Sequence, residues 1–346
     1  MEKWSKILLV FLVCLNSSCA TEFIPPRDLS KSDHYDGSRF FNPSLKEPKT
    51  FWDFLKWRFT ADTTPWPSFR PLEKTPDLSK VSDEKQIKIT FINHSSFLIQ
   101  TKDKNILTDP IWSERASPVS FAGPKRAMPV GIEFNQLPKI DVIIVSHNHY
   151  DHFDVKTLKM ISDRDKPQIF VPLGDRKYLE DREISNVREL DWNDEVTIDN
   201  DHQITFLKCR HWSARGITDR FKSLWGAYHL QLKNKSLYFA GDTGYAEHFK
   251  EAAVKFPKID IALIPVGAYE PRWFMKNFHL NPEDAILAAK DLKSKINIGM
   301  HLETFQLTDE GIDVPRSELN RLIKEKYPEV PFLVLKNGET YNQLIP

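Results

Sequence analysis

SHNHYDHFD, residues 146–154, sets three histidines and two aspartates in nine positions. Imidazoles and carboxylates are too polar to crowd into a core without partners, so a cluster this dense asks for a cation. It follows IDVIIVS, residues 140–146, an apolar run of strand length. In extended chain His147 and His149 point to the same side. Asp151 and His152 then occupy the turn into a helical pattern. The arrangement recurs along the chain. His211 follows QITFLKCR, Asp242 follows SLYFAG, and His301 ends INIGMH. Each stands just past an apolar strand, where α/β sheets gather their sites.

Seven ligands are too many for one tetrahedral zinc but suit two. A natural division gives His147, His149 and His211 to one ion and Asp151, His152 and His301 to the other, with Asp242 bridging. Neutral imidazole with hard carboxylate fits zinc best, with iron and manganese as alternatives. Asp109, in LTDP, is the candidate for orienting a ligand histidine from behind, and His94 is a weaker pocket candidate.

The rest of the chain agrees with one large domain or one domain plus extensions. Of its 346 residues 40% are apolar, enough for a sizeable core, and 48 basic residues balance 48 acidic ones, which argues against a nucleic-acid binder. From about residue 86 the pattern is strand-rich: QIKITFI, SSFLIQT, NILTD, QIFVP, EVTI, WGAYHLQL, IDIALIPVG and PFLVLK join the runs above. Helical patterns fall at Asp154–Asp163, Asp175–Glu183, Tyr245–Lys255, Pro282–Leu292 and Pro315–Lys326. Strands first with helices interleaved later predict a layered α/β architecture.

The N-terminus reads differently. Lys3 and Lys6 precede an apolar run, Ile7–Leu15, too short to span a bilayer and suited to a secretory signal. LNSSC resembles a lipoprotein signal with lipidation at Cys19; Ser18-Cys19-Ala20 is the alternative cleavage site. The expected organisation is a signal peptide over 1–20, a tether and aromatic helical extension over 21–85, and the main strand-rich domain over 86–346. The product would be exported and lipid-anchored on the periplasmic or outer face. With three cysteines in the chain no disulfide framework is available, and Cys209 reads as a buried small hydrophobe. In FWDFLKWRF, residues 51–59, Phe51, Trp52, Phe54, Leu55 and Phe59 share one helical face, for packing on the domain or for lipid.

HNHYDH, the later HW, GDTGY and the histidine at the end of a strand resemble the metallo-β-lactamase superfamily. That likeness implies an αββα four-layer sandwich with a dizinc edge. TDPIWSERASP, GPKR, SLWGAY, IPVGAYEPRWFMK and HLNPEDA are further similar to N-acylphosphatidylethanolamine-hydrolysing phospholipase D and its bacterial relatives, from about Arg39 to Gly338. The resemblance implies the same seven ligands and two Zn2+ ions. It also implies hydrolysis of N-acylphosphatidylethanolamine to N-acylethanolamine and phosphatidic acid at a membrane surface. Asn93 departs from the family, where glycine is usual, as does Leu302-Glu303, where Trp-Gly is common. For the chemistry, Asp151 and His279 are the expected catalytic residues, His279 supplying a proton or charge to the leaving alkoxide. Arg272, Trp273, Phe274 and Met275 are the expected substrate contacts. Competing readings are another hydrolase on this scaffold (lactone, β-lactam or other phosphodiester) and a non-catalytic metal-binding lipoprotein.

Overall fold

The computed structural model describes residues 27–43, 49–216 and 218–343, so Cys19 and the signal-like segment lie outside the described residues. Alternation of apolar residues at Ile87, Ile89 and Phe91 turns one face of β1 (Ile87–Asn93) toward the centre of the molecule, while Ile92 faces outward. β1 pairs antiparallel with β2 (Ser96–Gln100), which pairs with β3 (Asn105–Thr108). The sheet continues in parallel through β4 (Val142–Ile144), β5 (Gln168–Pro172) and β6 (Val187–Leu190). A polar edge strand, β14 (Thr340–Gln343), closes its other side against β1.

The second sheet repeats the design. β7 (Glu195–Asp199), β8 (His202–Leu207), β9 (Ala227–Leu232) and β10 (Lys235–Phe239) form an antiparallel meander. Parallel β11 (Ile261–Pro265), β12 (Ile296–Met300) and β13 (Phe332–Leu333) follow. The two seven-stranded sheets face each other through Phe91, Phe97, Ile144, Phe206, Leu230 and Phe239, all fully buried. Tyr228 on β9 donates its hydroxyl across the gap to the carbonyls of Val145 and Phe170, at 2.9 and 3.3 Å.

Helices cover both outer faces. α2 (Val155–Asp165) lays Leu158 and Ile161 on the first sheet, beside the short α3 (Arg176–Glu180). α4 (His248–Lys255), α6 (Pro282–Leu292) and α7 (Val314–Glu325) cover the second. α6 begins as its sequence dictates: Asn281 caps it by accepting from Asp284 N, and Pro282 fills a position that needs no donor. The result is the expected αββα sandwich. Edge strands β6 and β14 and the single-turn α5 (Arg272–Met275) carry too little periodicity to be foreseen. The pattern at Asp175–Glu183 yields only the short α3.

The segment before β1 packs against the domain. Within the stretch expected as a tether, His34 is buried against Trp192, and Phe40 is buried while its amide donates to Phe221. α1 (Phe51–Thr60) opens with a capping box between Thr50 and Asp53. Its docking corrects the expected face. Trp57, outside the aromatic set singled out above, is the buried residue; Trp52 and Phe59 are 76% and 85% exposed. Trp57 stacks on Phe274 at 5.2 Å and donates Nε1 to Asp309 Oδ2 at 2.7 Å. Its indole nitrogen needs an acceptor once buried, and Asp309 supplies one. Among the described residues no helix is long and apolar enough to cross a membrane.

Candidate metal centre

The seven expected ligands meet at one edge of the sandwich, where β4, β8, β10 and β12 end. His147, His149 and His211 form one group. His147 Nε2 and His211 Nε2 approach His149 Nδ1 to 2.8 and 3.2 Å. Asp151, His152 and His301 form a second, with Asp151 Oδ2 3.3 Å from both imidazole Nε2 atoms. Asp242 Oδ2 lies between the groups. It is 3.0 Å from His301, 3.3 Å from His152, 3.8 Å from His211 and 4.0 Å from His147. A carboxylate oxygen in that position is what a bridge between two cations requires.

The second nitrogen of three ligands is committed elsewhere, which fixes the tautomer. His152 Nδ1 donates to Asp109 Oδ2 at 2.6 Å, and His211 Nδ1 donates to the Phe278 carbonyl at 3.0 Å. Both acceptors can only accept, so each Nε2 is left as a lone pair when the ring is neutral. Ser146 donates its hydroxyl to Asp109 Oδ2 at 2.6 Å and so accepts from His147 Nδ1 at 2.9 Å. Sequence reasoning placed Asp109 behind the ligands but missed Ser146 and the Phe278 carbonyl. A backbone acceptor leaves no sequence signal.

The residues fit a metal on their own evidence. His147 Nε2, His149 Nδ1 and His211 Nε2 converge with no donor among the first and last of them. His152 Nε2, both nitrogens of His301 and Asp242 Oδ1 are buried without hydrogen-bond partners. Buried polar groups left this way are costly unless something else satisfies them. Metal-free electrostatics point the same way. Burial pushes His147 and His211 well below the ordinary histidine range and His149 down to about 4. Burial opposes charge on His301 as well, but the Asp242 and Asp151 carboxylates, 3.0 and 3.3 Å from its Nε2, outweigh it and lift His301 to about 9. His152 is raised in the same way, against burial, by Asp242 and Asp151. Burial likewise opposes ionisation of Asp151 and Asp242, yet the neighbouring histidines hold both well below the carboxylate range. Without metal, protons on His152 and His301 balance the two carboxylates.

The backbone supports this crowding with strain. His94, Asp109 and His301 all lie at positive φ, at 49°, 33° and 60°, a conformation L side chains adopt only where packing imposes it. Gly241, at φ 57°, lets Asp242 reach the centre: a Cβ there would stand 2.7 Å from the Ser146 Cβ.

The other expected residues divide. His94 is deeper than expected, its Nε2 2.9 Å from Asp151 Oδ2, in the same group as His152 and His301. His279 is at the mouth, its Nδ1 3.9 Å from Asp242 Oδ2 and without a hydrogen-bond partner. Burial brings it down to about 4. Arg272, expected as a substrate contact, turns its guanidinium to the protein's own loop. Its guanidinium donates to the His279 carbonyl at 3.0 Å and pairs with Asp284 Oδ2, so it holds the His279 loop. Met275 is buried and Phe274 is stacked on Trp57, which makes both packing residues. Of that run Trp273 alone is exposed, at 41%, beneath Lys49 and Lys56. Cys209 is buried as expected, its thiol on the Asp242 carbonyl. Asn93 donates to the Ile111 carbonyl and Glu303 pairs with Arg316, so both departures serve loop packing.

Residues 104–302 match the model of the Beta-lactamase superfamily domain. The chain is 37% identical over 266 residues to N-acyl-phosphatidylethanolamine-hydrolyzing phospholipase D 1 of Caenorhabditis elegans, covering 73% of this chain and 74% of that one. It is 36% identical over 223 residues to the mitochondrial N-acyl-phosphatidylethanolamine-hydrolyzing phospholipase D of Saccharomyces cerevisiae, covering 63% of this chain and 47% of the yeast protein. Among solved structures, isothiocyanate hydrolase from Delia radicum gut bacteria shares the fold at TM-score 0.59 and 20% identity, over 73% of this chain and 98% of that one. Sheet order, strand-end ligands and these likenesses together make the chain a metal-dependent hydrolase that belongs to the metallo-β-lactamase superfamily.

Proposed function

We propose that this protein is a dizinc phosphodiesterase of phospholipase D type, hydrolysing N-acylphosphatidylethanolamine-like lipids to N-acylethanolamine and phosphatidic acid. The two-ion part rests on Asp242 Oδ2, within 4.0 Å of a nitrogen from each of four other ligands. The substrate class rests on the likeness to the nematode enzyme. Bound zinc supplies Lewis acidity and acidified water. The chain's own residues do the rest. His147, His149 and His211 would hold one ion and Asp151, His152 and His301 the other. His279 stands neutral at the mouth. An arriving phosphodiester anion favours its protonated form, which equips it to hydrogen-bond the departing alkoxide oxygen.

A membrane partner is part of the proposal. Exposed Trp52, Phe59 and Trp273 share one region with Lys49, Lys56 and Arg58, the mixture that favours an anionic lipid interface. Export and anchoring through Cys19 follow from the N-terminal sequence pattern. The test is zinc-loaded protein incubated with N-acylphosphatidylethanolamine in mixed micelles, products read by mass spectrometry, beside Asp242→Asn. Zinc-dependent release of N-acylethanolamine, lost in the variant, is the expected result. Cleavage of a generic phosphodiester with no release from the lipid would discard the lipid substrate.

A further inference from the structure

The ligands of the 147–152 loop alternate with residues that face away from the centre, and one side chain from the opposite sheet holds those residues from behind. Arg215, four positions past His211, donates Nη1 to the carbonyls of Asn148 and Phe153, at 2.9 and 3.0 Å. Its guanidinium lies 4.0 Å from the Tyr150 ring centre. Tyr150 reciprocates, its hydroxyl donating to the Arg215 carbonyl at 2.9 Å. Asn148 is anchored a second time, Nδ2 to the buried carboxylate of Asp175 at 2.9 Å. Among the described residues the Arg215 side chain makes no ion pair, so its hydrogen bonds go to the two carbonyls that bracket the ligand loop.

We propose that Arg215 and Tyr150 form a reciprocal clasp that sets the spacing between His147/His149 and His211, with Arg215 the positioning residue of the three-histidine site. His147 and His149 come from the loop after β4 in the first sheet, and His211 from the loop after β8 in the second. The strand ends behind them are tied by the Tyr228 hydroxyl on the Val145 carbonyl and by Gly226 N on the Ser146 carbonyl, which leaves the loop from Asn148 onward to be held by side chains. A metal site tolerates about 0.5 Å of displacement before its geometry fails, and apart from the contact of His149 with His211 the clasp is what joins the two loops beyond Ser146. The other group is fastened differently: His152 through Asp109, and His301 through its amide on the His94 carbonyl at 2.7 Å. Arg215 also bonds the carbonyl next to His152, but with those other ties in place losing the clasp should weaken the three-histidine site more than the other.

The inference rests on the metal centre and not on the substrate. Metal-free protein would be titrated with Co2+, following ligand-field absorption and bound ions per chain, for wild type, Arg215→Met, Arg215→Lys and Tyr150→Phe. The expected result is that Arg215→Met weakens one of two Co2+ sites by about ten- to hundredfold, changes its spectrum and affects the other markedly less. Arg215→Lys, whose ammonium can still serve two carbonyls, should recover part of the loss. Tyr150→Phe keeps the ring, breaks one half of the clasp and carries the test if Arg215→Met does not fold. Wild-type affinity and spectrum in both Arg215→Met and Tyr150→Phe would overturn the clasp, as would equal weakening of both sites. No Co2+ uptake by wild type would sink the metal centre and the clasp with it.

Discussion

Asp109 ties Ser146 N, the Ser146 hydroxyl and His152 Nδ1 into one carboxylate. Replacing it with alanine frees the His152 ring and removes the acceptor that fixes its tautomer. Metal affinity should fall by about ten- to hundredfold, read by chelator competition, and unchanged affinity would refute the role. The raised His152 and His301 give a second prediction. In the metal-free protein both are shifted toward the protonated form, and a ligand imidazole must be neutral, so metal uptake should release protons. Calorimetry in buffers of different ionisation enthalpy should detect the release, and affinity should weaken as pH falls. Metal-free stability follows the linkage signs. The depressed Asp151 and Asp242 stabilise above the ordinary carboxylate range, an effect lost as pH falls below it. His301 stabilises fully below about 6.5, an effect lost as pH rises through about 9. At this scale the sequence was most legible, because ligand chemistry restricts residue type.

At the scale of elements, α1 separates two roles within one aromatic run. Trp57→Ala removes a buried indole, its stack on Phe274 and its bond to Asp309, a loss of about 3–5 kcal/mol. Because α1 joins the domain mainly at this point, hydrogen exchange should quicken across residues 51–60 while the sheets stay protected. Trp52→Ala with Phe59→Ala should leave thermal stability nearly unchanged, as exposed substitutions do, while weakening binding to anionic vesicles. Equal vesicle binding would remove the aromatic helix from the membrane surface. Periodicity did identify the helix. It misjudged the buried face because Phe, Leu and Trp score alike in a hydropathy pattern, whereas docking was decided by a single acceptor, Asp309, more than 250 positions away in sequence.

At the scale of the molecule, the metal centre is also a fastening between the sheets, since each candidate ion draws histidines from both. At a hundredfold excess over its dissociation constant a metal adds about 2.7 kcal/mol per ion, on the order of 5–10 °C in a domain of this size. Chelation should lower the melting temperature by that amount, and readdition of zinc should restore it. An unchanged melting temperature would mean that the folded protein does not bind the ion. The seven candidate ligands, the α/β class and the layered order were read from sequence alone. Strand-end placement and side-chain chemistry are local properties, and a window of about ten residues contains them. Only the tertiary structure decided that Arg272 reaches the His279 loop, that His94 joins the second candidate group, and that Arg215 bonds the Asn148 and Phe153 carbonyls. Each of those outcomes depends on which groups the two sheets bring within 3 Å of one another, and separation along the chain carries no information about that distance.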